Sequence, residues 1–244
     1  MNKHSSMGSK LYVQYGCGLC APDGWKNFDS SPRLRFERLP FVSRIVELVG
    51  LRLFPTNIEV GDIVFGLSLP DNCADAVYAS HVLEHLPRND ILRALANTFR
   101  LLKPGGVFRL VVPDLEWRTK RYMGARAARA VEAADEFITA CNIVERDRAR
   151  GAMALLRTAF GNSGHRWMYD QDLMNRLLEE TGFVDIRRCE FQDSGDIMFE
   201  KVEDRGRFYD NGELELAMEG RKPWAKPSPP SGEQQEVKVD RFHQ

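Results

Sequence analysis

No uninterrupted apolar run of about 18 residues occurs anywhere in the 244-residue chain, so a transmembrane helix is excluded on length. A charge imbalance is also missing. With 34 basic and 35 acidic residues the net charge is -1, which calls for neither nucleic acid nor a membrane surface as partner. Histidine is scarce, five in all, and internal repeats are absent. The opening "MNKHSSMGSK" lacks the apolar centre of a signal peptide. Five cysteines, an odd number without a secretory signal, then point to a reducing cytoplasm.

What is present is an ordinary globular composition, 43% hydrophobic and 28% charged, able to bury a sizeable core. One α/β domain over residues 11–222 is expected, after a flexible stretch at 1–10. From Pro223 the chain is rich in Pro, Ser and charge, and residues 223–244 are expected to be a disordered tail. "KLYVQYGCG" and "WKNFDSS" read as two short strands, and residues 33–50 carry a helical apolar face (Leu34, Leu39, Val42, Ile45, Val46, Val49) interrupted by Pro40. "IEVGDIVFG", "ADAVYASHV" and "VFRLVVPD" read as the next three strands. Between the last two lies an amphipathic helix lined by Ile91, Leu95, Phe99 and Leu102, capped by Asn89 or Asp90 and ended by Pro104-Gly105-Gly106. Residues 117–160, rich in Ala and Arg, predict a helical insertion after the fifth strand. "DQDLMNRLLEETGF" predicts a helix capped at Asp170 or Asp172 and stopped by Gly182, before two closing strands, "VDIRRCEF" and "GELELAMEGRK". Alternating strands and crossovers give a mostly parallel sheet covered by helices on both faces.

Gly16 and Gly18, in "YGCG", let the backbone approach a ligand at the carboxyl end of the first strand. Asp29, ending the second strand, is placed to accept both hydroxyls of a ribose. The glycines and Asp29 stand closer than the spacing of about twenty residues in dinucleotide sites, so the first crossover helix is reduced or absent. A phosphate-binding helix N-terminus is then missing, which favours a nucleoside ligand without phosphates. Asp62 is positioned either to accept from an adenine amine or simply to close a turn after Gly61.

Two strings suggest metal. "HVLEH" at 81–85 is a literal H-x-x-E-H, the inverted zinc-peptidase pattern. His81 falls at a strand-to-helix junction, however, and no third ligand stands at a recognisable spacing, the other histidines being His4, His165 and His243. Cys17 and Cys20 form a C-x-x-C without a second pair. No metal site is expected.

In order, "QYGCG", Asp29, "GDI", "LSLPDNCADAVYASHVLEHL" and "TFRLLKPGGVFRLVVPD" make the chain resemble class I S-adenosylmethionine-dependent methyltransferases over about residues 11–113. The resemblance implies a Rossmann-like, doubly wound, mostly parallel seven-stranded sheet with S-adenosylmethionine as cofactor. By the same resemblance Gly16, Cys17, Gly18, Asp29, Asp62, Ile63, Ser80 and His81 would line the cofactor. Gln14 replaces the family's frequent acid before the glycine loop, leaving a neutral amide for the methionine ammonium. "GWKNFD" and the later His165, Trp167, Met168 and Tyr169 are similar to a bacterial branch often linked to glycan biosynthesis. A small-molecule or saccharide acceptor methylated at oxygen follows, with His165 and Asp114 as candidate bases and His85 as a third. Asp114 is also placed to cap the next helix. Arg118, Arg121 and Tyr122 are placed either to contact an acidic substrate or, the preferred reading, to form a solvated helix face. The alternative is a cofactor-binding regulatory or scaffold protein without catalysis.

Overall fold

The computed structural model describes residues 10–39, 53–143, 164–210 and 212–224. The expected helical positions Val42, Ile45, Val46 and Val49, the later part of the insertion and the tail beyond Trp224 lie outside the described residues, as do His4 and His243. Strands β1 (Tyr12–Tyr15), β2 (Trp25–Asp29), β3 (Ile58–Val60), β4 (Ala74–Ser80), β5 (Leu102–Val112), β6 (Val184–Arg188) and β9 (Leu216–Arg221) form one seven-stranded sheet in the order β3-β2-β1-β4-β5-β9-β6. All its pairings are parallel except those of β9, which runs antiparallel to β5 and β6. The Rossmann-like sheet is thus a mixed one with a single reversed strand. Strand order changes direction between β1 and β4. In open α/β sheets that is where a crevice opens beyond the carboxyl ends of the strands.

The helices supply one main core. In α2 (Arg88–Leu101) the buried residues Ile91, Ala94, Leu95, Thr98 and Leu101 recur at helical spacing. They pack with Val13, Val77 and Leu110 of the sheet and with Met174, Leu177 and Leu178 of α5 (Gln171–Thr181). Each of the Val, Leu, Ile and Met side chains among them contributes roughly 1.5–3 kcal/mol when fully buried. Asp170 caps α5 through a bond from Leu173 N–H at 2.8 Å, and Gly182 ends it at φ 104°.

The opposite face is covered differently, because residues 16–24 join β1 to β2 without a helix. Aromatic rings fill that gap. Trp25 and Tyr78 pack edge-on to Phe199, from a 3₁₀ turn at Ile197–Lys201, and the Trp25 ring N–H donates to the Met198 carbonyl at 3.0 Å. Arg109 of β5 is fully buried beneath this layer. It donates to Glu203, to Glu219 at 3.1 Å and to the Glu190 carbonyl at 2.7 Å, and pairs with Asp193 at 2.8 Å.

Several local expectations are corrected. Only α1 (Pro32–Glu37), capped by Ser31, is described in the 33–50 region, and Leu39 is exposed. The third strand stops at Val60, because the Asp62 carboxylate accepts from Val64 N–H at 2.9 Å and turns the chain. Neither Asn89 nor Asp90 caps α2. It starts directly after Pro87, whose φ of -58° is already suited to helix entry, and Asp90 pairs with Arg93. Pro104-Gly105-Gly106 does not end the helix but bulges within β5, where register jumps from Ala74↔Leu102 to Ala76↔Val107. Glu213–Leu214 (β8) leaves the main sheet to pair with Tyr209–Asp210 (β7), next to α6 (Arg205–Phe208). Among the described residues no helix is long and apolar enough to cross a membrane.

Candidate functional site

A cavity of about 940 Å³ opens beyond the carboxyl ends of β1, β2, β4 and β5, where the change in strand order places it. Its first wall is the glycine loop. Gly16 has φ 62°, and a Cβ there would stand 2.3 Å from Val82 Cγ2, so the loop passes directly against the segment following β4. Gly16→Ala is therefore expected to lower unfolding free energy by at least about 1–2 kcal/mol, the cost of a left-handed residue bearing a Cβ. Urea titration checks this; stability equal to that of the unsubstituted chain would show that the loop can move away from Val82.

Asp29 faces the same wall. Its Oδ2 accepts from Gly18 N–H at 2.9 Å and its Oδ1 from Ser31 N–H at 2.8 Å, which fixes the carboxylate while leaving each oxygen a further lone pair. Gln14 does not reach the cavity. Its amide donates to the Cys20 carbonyl at 2.7 Å and to Asn27 at 2.6 Å, holding the loop closed. Cys17 and Gly18 do not line the cavity: the Cys17 side chain is buried with Leu34 and Ile58, where burial pushes its thiol pKa up, and Gly18 serves through its N–H to Asp29. Asp62 and Ile63 lie one strand beyond Asp29 and do not line the cavity. Ser80 does, with a buried Oγ that has no hydrogen-bond partner among the described residues.

The second wall is built after β4. His81 takes φ 54°, and a 3₁₀ turn, Leu83–His85, follows. The Glu84 carbonyl accepts from Arg166 N–H at 2.7 Å and Trp167 N–H at 3.1 Å, drawing a distant loop onto this turn. His165 is thereby fixed beside His85, their rings 5.2 Å apart. Its backbone N–H donates to Asn142 O at 2.8 Å. Its Nδ1 lies 2.8 Å from Cys141 O, at the end of α4 (Ala133–Cys141), so Nδ1 carries the proton and Nε2 is left as a lone pair. Burial holds His165 below its ordinary pKa, and the Glu84 charge does not reverse this. For His81, burial opposes charge but is outweighed by Glu84 Oε1, 3.2 Å from Nδ1, and by the Arg207 carbonyl 2.9 Å from Nε2; its pKa is raised.

Asp114 does not have the geometry of a base. One carboxylate oxygen caps α3 (Leu115–Ala127) by accepting from Trp117 N–H at 3.0 Å, and the other pairs with Arg188 at 2.7 Å. It is buried and does not line the cavity. Arg118 is likewise no solvated residue. It is buried, donates to both oxygens of Glu215 at 2.8 and 2.9 Å, and shares the cavity wall with that carboxylate. Arg121 pairs with Glu213. Burying these carboxylates required paired guanidinium groups from α3, and that pairing is tertiary.

The expectation of no metal ligand set rested on the lack of a third ligand near H-x-x-E-H. Folding supplies one: Glu84, His85 and His165 offer ligand atoms that all lie within 4.8 Å of one another. The pair expected from the string, His81 with His85, is not the one assembled.

A family profile described as "Methyltransferase domain" matches residues 20–187. A curated relative, "Probable methyltransferase ltbC" of Aspergillus luteorubrus, is 46% identical over 50 residues, a match spanning 20% of this chain and 18% of that relative. Among solved structures, a SAM-dependent methyltransferase from Methanosarcina mazei is 18% identical at a TM-score of 0.49, covering 91% of this chain and 97% of that one. Another from Archaeoglobus fulgidus is 17% identical at 0.46, covering 88% and 87%.

Proposed function

The chain belongs to the methyltransferase-domain family, a S-adenosylmethionine-dependent enzyme by that membership, and from this premise we propose that it methylates an oxygen of a small-molecule or saccharide acceptor. The observation that carries the reading is one cavity lined at once by the Asp29 carboxylate and by the His85 and His165 imidazoles. The residues present suit the cofactor. Asp29 offers lone pairs to a ribose diol, Gly16 lets the loop close against Val82 at the cavity's edge, and Ser80 Oγ is an unpaired polar atom in the same wall.

S-adenosylmethionine, when bound, supplies a methyl carbon activated by a positive sulfur. What the protein adds is alignment and proton removal. His165, neutral and with Nε2 unprotonated, takes the proton from the acceptor hydroxyl. Asp29 and the Gly16 loop would hold S-adenosylmethionine, which would supply its methyl group to that oxygen and keep the bonding pair on sulfur. The Cys141 carbonyl holds the ring in the tautomer this requires.

A saccharide acceptor, and with it a place in glycan biosynthesis, is supported by the half-exposed Trp167 ring beside the His165 loop, with Arg88 5.9 Å from its centre. All five cysteines are free thiols, in keeping with work in the cytoplasm. The decisive test is calorimetry with S-adenosylmethionine. Asp29→Ala is expected to weaken binding at least tenfold, because hydrogen bonds to a carboxylate contribute about 1.5–3 kcal/mol each. Unchanged affinity would remove Asp29 from the cofactor site.

A further inference from the structure

Glu84 is completely buried; its Oε1 faces His81 Nδ1 at 3.2 Å, and its Oε2 has no hydrogen-bond partner among the described residues. His81 stands at ion-pair distance from Oε1 alone, and His85 Nε2 lies 3.9 Å from the same oxygen. The His85 Nδ1 is also buried and unpartnered among the described residues. A buried carboxylate with one imidazole on one oxygen and no partner on the other is under-compensated, and a cation against it relieves that. His165, which lines the cavity with its Nε2 unused by the protein, completes the group.

We propose that Glu84, His85 and His165 form a binding site for a divalent transition-metal cation at the acceptor end of the cavity. Two imidazoles and one carboxylate are the donor set of Zn²⁺ and its first-row neighbours, whereas Mg²⁺ and Ca²⁺ take mostly oxygen. The supporting contacts are in place: the Cys141 carbonyl fixes the His165 ring, and the Glu84 carbonyl ties the His165 loop to its own turn. Donors around one cation, at bond lengths of about 2.0–2.2 Å, stand roughly 3.3 Å apart, so the cluster, with separations of up to 4.8 Å, closes by up to about 1.5 Å on loading. Three protein ligands leave an open coordination position, and both imidazoles face the cavity.

The site deepens the methyl-transfer reading and, for its role there, rests on it. With the cation bound, His165 Nε2 is a ligand. The acceptor hydroxyl occupies the open position and loses its proton to cavity water, because coordination lowers its pKa. Its lone pair then attacks the methyl carbon as before. The acceptors favoured are those whose hydroxyl has a neighbouring oxygen able to share the cation.

The test uses the full chain, stripped with a chelator and titrated with Co²⁺ without S-adenosylmethionine, read by visible absorption and by competition with Zn²⁺. One equivalent is expected to bind and to raise the unfolding temperature. Glu84→Gln and His165→Ala should each weaken binding by at least about 100-fold, the upper end of what loss of an outer-shell partner costs. Cys20→Ser should leave it unchanged. Circular dichroism and S-adenosylmethionine affinity establish that each variant is folded, and His165→Ala decides alone if Glu84→Gln is not. The proposal is overturned by absence of Co²⁺ binding, by binding that survives in His165→Ala, or by binding lost in Cys20→Ser. Asp29→Ala should lose S-adenosylmethionine and keep Co²⁺, so failure of the metal site and failure of the methyltransferase reading are told apart.

Discussion

Alanine in place of His165 is expected to abolish most turnover while S-adenosylmethionine binds as before. The loss should be about 10²–10⁴-fold, the usual contribution of positioned proton transfer. The asymmetry follows from the two walls of the cavity. Asp29 and the glycine loop form one, whereas His165 arrives on a loop tied to the Glu84 carbonyl and to the end of α4. Measurement of methyl transfer and of cofactor affinity on the same preparation separates the walls. Full turnover in the variant would retire His165 from the chemistry. A parallel loss in Glu84→Gln that tracks the loss of Co²⁺ binding would link the histidine to the cation. Glu84 also acts on His165 through its charge and pairs with His81, so turnover is read together with Co²⁺ binding to separate these routes.

The largest effect on stability is expected at Arg109→Met. This arginine has no exposure and is bonded to Glu203, Glu219 and the Glu190 carbonyl. Removing one member of a buried ionic network leaves the others charged in a poorly solvating interior, which costs about 3–5 kcal/mol. Burial already raises the Glu203 pKa against the pull of Arg109, so its carboxylate has little tolerance for losing that partner. Urea unfolding should show the loss with an unchanged slope. Adding Glu203→Gln to Arg109→Met should recover part of it, since the stranded charge is removed. A loss below about 1 kcal/mol, the range of exposed pairs, would mean that water reaches the network.

How far the sequence discloses this molecule depends on the range of the interaction. The parallel strands and α5 are legible because their signals are local: apolar runs such as "ADAVYAS", the Asp170 cap, the Gly182 stop. The glycine loop and Asp29 are legible for the same reason, being neighbours in chain and in space. Arg109 is not. "FRLVV" shows an arginine amid apolar residues, but its carboxylate partners are 94 and 110 positions away and leave no local trace. Asp114 misleads in a similar manner, because its placement at a strand end suits a base until Arg188 and the α3 cap are seen to occupy it. The Glu84, His85 and His165 group was half visible. The string H-x-x-E-H was there, but the left-handed turn at His81 swaps which of its members converge.

The bare link between β1 and β2 has a selective consequence. Where nucleotide enzymes commonly point a helix at the ligand, residues 16–24 present no stack of aligned peptide dipoles. A phosphate chain arriving at that link would find no helix N-terminus there and would stand beside the Asp29 carboxylate. The link thereby favours a nucleoside without phosphates over ATP or a dinucleotide.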